Sequence, residues 1–213
     1  MYVAIEGAIG VGKTTLARLL QPSFQAELLL EIFEENPFLP KFYTDRPRFA
    51  FQTQIFFLLS RYHQQRRTIR EILDKGKNLI SDYTFAKDAL FARINLEGDE
   101  LSMYDRVHEA LAEKIPRPDL IIFLQATTDV LMQRIALRDR SFERNIERDY
   151  IEELSQAYET FFAKPLDNAP ILAIDTNPLD IVRNPDHLKL IDNRIRQVLN
   201  LPPFQSGLPL KGA

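Results

Sequence analysis

Gly7-Ala8-Ile9-Gly10-Val11-Gly12-Lys13-Thr14 follows a short apolar run, Tyr2-Val3-Ala4-Ile5, and leads into Thr15-Leu16-Ala17-Arg18-Leu19-Leu20. The pattern is G-x-x-x-x-G-K-[ST]. Glycines at these positions let consecutive backbone N–H groups curl around a polyphosphate. Lys13 is then placed to reach the β- and γ-phosphates, and the Thr14 hydroxyl to sit on Mg²⁺. A strand before the loop and a helix after it complete the motif, because a helix N-terminus favours anions. The segment from Gly7 to Thr15 is therefore read as the binding loop of a nucleoside triphosphate with its Mg²⁺.

Working outward, short runs rich in Val, Ile and Leu recur at 2–6, 27–31, 78–82, 119–124 and 171–175. Such runs suit strands covered on both faces. Helical stretches are expected between them at 13–20, 48–75, 85–95, 101–114, 128–137, 148–167 and 186–199. Alternating strand and helix behind a first-strand phosphate loop predicts an α/β fold: a P-loop three-layer α/β/α sandwich on a five-stranded parallel sheet. Ligands then gather at the carboxyl ends of the strands. Residues 1–200 read as one domain. Residues 201–213, with Pro202, Pro203, Gly207, Pro209 and Gly212, read as a mobile tail.

The 213 residues carry 27 basic and 30 acidic side chains, a net charge of −3, which implies no nucleic-acid partner. Cysteine is absent, which excludes disulfides and thiol catalysis and fits a reducing cytoplasm. The first strand begins at once, leaving no room for a signal peptide, and no apolar run reaches the roughly 18 residues of a membrane span. A cytoplasmic location without membrane attachment is expected. His63, His108 and His187 are scattered and suggest neither a metal site nor a triad.

Carboxylates mark the acceptor side. Glu31 closes the second strand, one strand over from the phosphate loop, and is the candidate to accept a hydroxyl proton. Glu34 and Glu35 read as a solvated loop. Asp82 closes the third strand and is a candidate Mg²⁺ acid beside Thr14. The start of helix 48–75 is apolar nearly all round, as in a buried helix. Gln54 and Arg61 lie two turns apart on one face of it, about 10 Å along the axis. Buried, both need polar partners, and the edge of a nucleobase is one. Asp88 is placed to pair with Arg61 and fix a base between them. The run from Arg134 to Arg144, with Arg138, Arg140 and Glu143, has the composition of an arginine-rich lid, about 138–147, that closes over phosphates.

Taken together, these segments resemble the deoxyribonucleoside kinase family, in particular its bacterial deoxyguanosine and deoxyadenosine branch. The resemblance runs from Tyr2 to about Asp175. It is carried by the phosphate loop, Glu31-Ile32-Phe33-Glu34-Glu35-Asn36-Pro37, the Gln54…Arg61 helix, Asp82-Tyr83 and Arg138-Asp139-Arg140-Ser141-Phe142-Glu143. It implies Glu31 as the base at the 5′-hydroxyl and Gln54 as the reader of the nucleobase. Tyr43 with Glu143 would hold the sugar, with the Tyr43 ring against C2′. Arg138 and Arg140 would act on the phosphates. Arg61 with Asp88 resembles members that take purines or deoxycytidine. The expected activity is ATP-dependent 5′-phosphorylation of a purine deoxyribonucleoside, deoxyguanosine ahead of deoxyadenosine, by a homodimer. Candidate dimer surfaces are segment 101–114 and the aromatic helix.

The chain departs from the family pattern in two places. An acidic-Arg pair is usual where Asp82-Tyr83 stands, and Lys87, expected one helical turn after Tyr83, is the candidate to supply the missing charge. Ile32-Phe33 replaces a usual Pro-Val. A nucleoside monophosphate kinase would need further arginines near Glu31, where residues 31–42 offer only Lys41. A guanine-reading regulatory switch would need an Asn-Lys-x-Asp signature, which the chain lacks.

Overall fold

The structure is a computed structural model and describes residues 1–33, 35–163 and 169–204. Five strands form one parallel sheet: β1 (Tyr2–Glu6), β2 (Ala26–Leu29), β3 (Asn78–Ser81), β4 (Leu120–Gln125) and β5 (Ile171–Asp175), in the order β2-β3-β1-β4-β5. The register sets Val3 opposite Ile80 on one side and Leu120 on the other. Alternate residues of β1 feed two clusters. Tyr2 and Ala4 pack with Leu79, Tyr83 and Ile69. Val3 and Ile5 join Leu16, Leu20 and Ile122 in the larger one. Both faces of the strand are thus buried, which is why it carries almost no polar residue. The exception is Glu6, fully buried at the strand's carboxyl end.

Among the described residues, eight helices flank the sheet: α1 (Lys13–Phe24), α2 (Leu39–Phe42), α3 (Arg46–Asp74), α4 (Lys87–Asn95), α5 (Gly98–Ala112), α6 (Thr128–Arg138), α7 (Arg148–Phe162) and α8 (Pro185–Val198). The three-layer parallel architecture expected from the sequence is the one observed. Several boundaries move, each for a local reason. Helix α1 runs on through Pro22, which forgoes one intrahelical hydrogen bond, and Gln25 closes the helix in the left-handed region at φ 47°. Strand β2 stops at Leu29, and the Glu31 N–H is donated to the Asp82 carboxylate at 2.8 Å instead of to a ladder. Strand β3 stops at Ser81, and α4 starts only at Lys87, so Tyr83 lies in a loop and not one helical turn before Lys87. The single turn α2 is too short to show a period. Helix α7 is described to Phe162. The expected stretch 164–167, Glu34 and the tail beyond residue 204 lie outside the described residues.

Two glycines in the phosphate loop are dictated by contact as well as by angle. A Cβ on Gly7 (φ +143°) would stand 2.4 Å from the Leu124 carbonyl oxygen of β4. One on Gly10 (φ +87°) would meet Ile135 at 2.8 Å and the Leu131 carbonyl oxygen at 2.9 Å, both on α6. The loop is therefore clamped between β4 and α6. Gly10→Ala is expected to cost about 1–3 kcal/mol of stability through backbone strain and displacement of α6, read as a lower urea midpoint at unchanged slope.

Candidate active site

A cavity of about 290 Å³ opens at the carboxyl ends of the strands. One end is the phosphate loop, with Ile9, Gly10, Gly12, Lys13, Thr14 and Thr15 on its wall. Gly7, Ala8 and Val11 are buried behind it. Lys13 Nζ donates to the carbonyl oxygens of Gly7 at 2.7 Å and Ala8 at 3.1 Å, folding back over its own loop. The Thr14 hydroxyl donates to Asp82 Oδ2 at 2.5 Å. A hydroxyl and a carboxylate are hard oxygen donors of the kind Mg²⁺ takes, and the hydrogen bond that now joins them would have to open for the ion to enter. No group of three or more His, Asp or Glu side chains suited to a metal occurs among the described residues.

Glu31 occupies the middle. Its Oε1 accepts from Arg61, from Nε at 3.1 Å and also from Nη2. Its Oε2 accepts from Lys87 Nζ at 2.7 Å. Arg61 comes from α3, Lys87 is the first residue of α4, and Glu31 follows β2, so three elements converge on one carboxylate. Burial alone pushes the Glu31 carboxyl up. The Arg61 and Lys87 charges outweigh it and hold the group well below the usual carboxylate range. Behind Arg61, its Nη1 pairs with the fully buried Asp88. The pairing of Asp88 with Arg61 is the one expected from the sequence, and of the two Arg61 lines the cavity. Arg61 itself lies over the Phe57 ring at 4.5 Å.

Further along α3, Thr53 and Gln54 face the same cavity as Phe57 and Arg61. The spacing 54, 57, 61 is one helical face. Gln54 Oε1 and Thr53 Oγ1 are buried without a partner. Opposite them stand Tyr43, Tyr150 and Glu143. Burial raises the Tyr43 phenol well above its ordinary range. In the arginine-rich segment, a 3-10 turn (Ser141–Glu143) presents Glu143 to Arg138 at 2.5 Å and Arg140 at 3.4 Å. Arg140 also lies 4.0 Å from the centre of the Phe33 ring, which packs on Phe142. Both arginines are about one-third exposed at the cavity mouth.

Some of the site was not anticipated from the sequence. Glu6 accepts from Thr84 N at 2.5 Å, Thr84 Oγ1 at 2.8 Å and Tyr158 OH at 3.2 Å, tying β1 to the loop before α4 and to α7. Burial pushes its carboxyl up, only partly offset by the Lys87 and Lys13 charges. An acidic residue in an otherwise apolar strand was the available signal. Arg134, grouped with the lid arginines by sequence, instead braces the phosphate loop through Val11 O at 3.3 Å and Thr176 at 2.9–3.0 Å. Tyr83, standing where an arginine was expected, donates its hydroxyl to Gln64, and Gln64 donates to Leu30 O at 3.0 Å.

A family model described as deoxynucleoside kinase matches residues 3–200. The chain belongs to the deoxynucleoside kinase family. It is 35% identical over 201 residues to the deoxyguanosine kinase of Bacillus subtilis, covering 93% of this chain and 97% of that one. It is 28% identical to the deoxyadenosine/deoxycytidine kinase of the same organism, covering 93% of each. Among solved structures, the deoxyadenosine kinase of M. mycoides with dCMP and dCDP bound superposes with a TM-score of 0.79 at 27% identity, covering 93% of this chain and all of that one. The enzyme is a deoxynucleoside kinase, and no helix of its described residues is long and apolar enough to cross a membrane.

Lys13 gives this kinase a measurable cost. Burial, with the Lys87 charge added, lowers its ammonium from the ordinary 10.5 to about 8. Below pH 8 it is charged both folded and unfolded, so the full cost of holding it applies. That cost fades as pH rises from 8 towards 10.5, where the folded state sheds its proton first. Lys13→Met is expected to stabilise the free enzyme at pH 7 by about 1 kcal/mol, allowing for solvent in the cavity. The gain should shrink at pH 9.5, as read by urea unfolding at the two pH values.

Proposed function

We propose that the enzyme transfers the γ-phosphoryl group of ATP to the 5′-hydroxyl of a purine deoxyribonucleoside, deoxyguanosine ahead of deoxyadenosine. The observation that carries this reading is the Glu31 carboxylate, held by Lys87 and Arg61 in the same cavity as the phosphate loop and Gln54. The B. subtilis relative supports the guanine preference. In the reaction the 5′-oxygen attacks the γ-phosphorus while the bond from that phosphorus to the bridging oxygen of ADP breaks. The hydroxyl proton passes to Glu31. Phosphoryl transfer demands positioning and charge more than a strong base, so a carboxylate of low basicity suffices.

Each remaining residue has a task in this reading. The backbone from Gly7 to Thr15 cradles the triphosphate, and Lys13 leaves its loop carbonyls for the β- and γ-oxygens. Thr14 would hold Mg²⁺ directly and Asp82 through water, and the ion would neutralise charge on the phosphates. Arg138 and Arg140 turn from Glu143 and Phe33 to the transferring group, freeing Glu143 to join Tyr43 on the sugar 3′-hydroxyl. The Tyr43 ring closes the space a 2′-hydroxyl would need. Gln54 reads the base edge, satisfying its unpartnered amide oxygen. Lys87 supplies the cation that Tyr83 does not. The enzyme works in the cytoplasm as a homodimer through α3 and α5, where Leu59 and Met103 stand exposed.

Initial rates with the four deoxynucleosides, guanosine and dGMP test the substrate class. Deoxyguanosine should be preferred, and turnover of dGMP in its place would reject the reading. Glu31→Gln should slow turnover by about 10²–10⁴-fold. Lys87→Ala should slow it by at least about tenfold, while Tyr83→Phe stays within a few-fold, because of these two side chains it is Lys87 that bonds Glu31.

A further inference from the structure

A second cavity, of about 490 Å³, lies among β1, β4, α3, α5 and the segment between β3 and α4. Ile115, Pro116, Pro118 and Ile121 give it an apolar wall, and the near-parallel rings of Phe85 and His108, 4.9 Å apart, give it an aromatic one. Burial lowers the His108 imidazole below its ordinary range, so that wall is uncharged near neutral pH. Into this surface α3 brings the amide of Gln65. The side chain is fully buried, and neither its Nε2 nor its Oε1 has a hydrogen-bond partner. An unpaired donor and acceptor in such a wall are costly to keep. Glu109 and Glu113, one turn apart and exposed, stand at the rim with Arg117, so the rim is net negative. The cavity also shares a partition with the active site. Thr84, Phe85 and Ala86 face the second cavity, and the next residue, Lys87, faces the first. Thr84 is fastened to Glu6 and Lys87 to Glu31.

We propose that this cavity is a second ligand site, for a neutral flat heterocycle whose lactam edge pairs with the Gln65 amide, and that its occupant steadies the run from Thr84 to Lys87. A primary amide sets an N–H donor beside a carbonyl acceptor. Its complement is a ring that carries a C=O next to an N–H, so that two parallel hydrogen bonds form at once and both orphaned atoms are satisfied. The aromatic and apolar walls suit the faces and far edge of such a ring. The two rim carboxylates repel an anion, which selects an uncharged ring over the same ring bearing a carboxylate or phosphate. A ligand packed against Thr84–Ala86 favours the arrangement of that run in which Lys87 bonds Glu31. Gln65 is then the specificity-determining residue of the second site, and it touches nothing in the first.

The probe is uracil, titrated calorimetrically into enzyme whose active site is already filled with deoxyguanosine and the non-hydrolysable donor β,γ-imido-ATP. Uracil should still bind. Two analogues should bind about tenfold or more weakly: 3-methyluracil, which lacks the N–H, and orotate, which adds a carboxylate. Gln65→Leu removes the amide at little cost to folding, since that amide has no partner to lose, and should abolish the binding. Ala112→Phe, at the end of α5 on the cavity wall, should abolish it by filling the space. Saturating uracil should raise kcat for the preferred deoxynucleoside by about twofold or more in the wild type, and leave it unchanged in both variants. Absence of uracil binding, its displacement by the active-site ligands, or equal affinity in Gln65→Leu would overturn the second site. Binding with no change in kcat would overturn the link to Lys87. The binding measurements do not depend on which nucleoside the enzyme prefers, so their failure leaves the nucleoside-kinase reading intact.

Discussion

Glu31 is a largely buried anion on the cavity wall, and the architecture around it follows from the need to keep it charged. A lone buried carboxylate neutralises itself by binding a proton. Two cations prevent that here, and each must arrive from a different element: Arg61 from α3 and Lys87 from the first position of α4. Arg61 in turn needs Asp88, and the Glu31 backbone needs Asp82. Such a cluster is a poor way to stabilise a fold, since desolvating its members offsets most of their attraction. Its presence at the carboxyl edge of a parallel sheet, beside a phosphate loop, makes sense as chemistry.

Tyr83 shows how a cluster of this kind tolerates a changed member. Its ring is fully buried among Tyr2, Leu79 and Ile69, and its hydroxyl reaches Gln64, whose amide holds the Leu30 carbonyl. Leu30 immediately precedes Glu31. Tyr83 thus works as a strut, fixing the backbone that carries the carboxylate, while Lys87 provides the charge.

Much of this was legible beforehand. The phosphate loop, the five parallel strands and the α3 face bearing Gln54 and Arg61 follow from spacing and side-chain type, and all three are present in the structure. What spacing could not convey was depth. The pairing of Asp88 with Arg61 was readable from their spacing, but not that Asp88 would be fully buried in the α3–α4 contact. Lys87 was placed by counting from Tyr83 as though both lay on a helix, and it reaches Glu31 from a loop-to-helix junction instead. Glu6 and Arg134 were missed or misassigned because every partner named for them is at least 42 residues away in sequence. Periodicity describes one element at a time and is silent on which others meet it.

The two ends of the cavity differ in how they are built. The phosphate loop is wedged by Gly7 against β4, by Gly10 against α6 and by Arg134 from the side. The segment from Arg138 to Arg144 is fastened by ion pairs near solvent and by one guanidinium lying on a ring. The first is an anvil and the second a jaw. Inhibitor searches that hold the anvil rigid therefore sacrifice little, whereas those that freeze the jaw in its present pose will discard compounds able to pry Arg140 from Phe33.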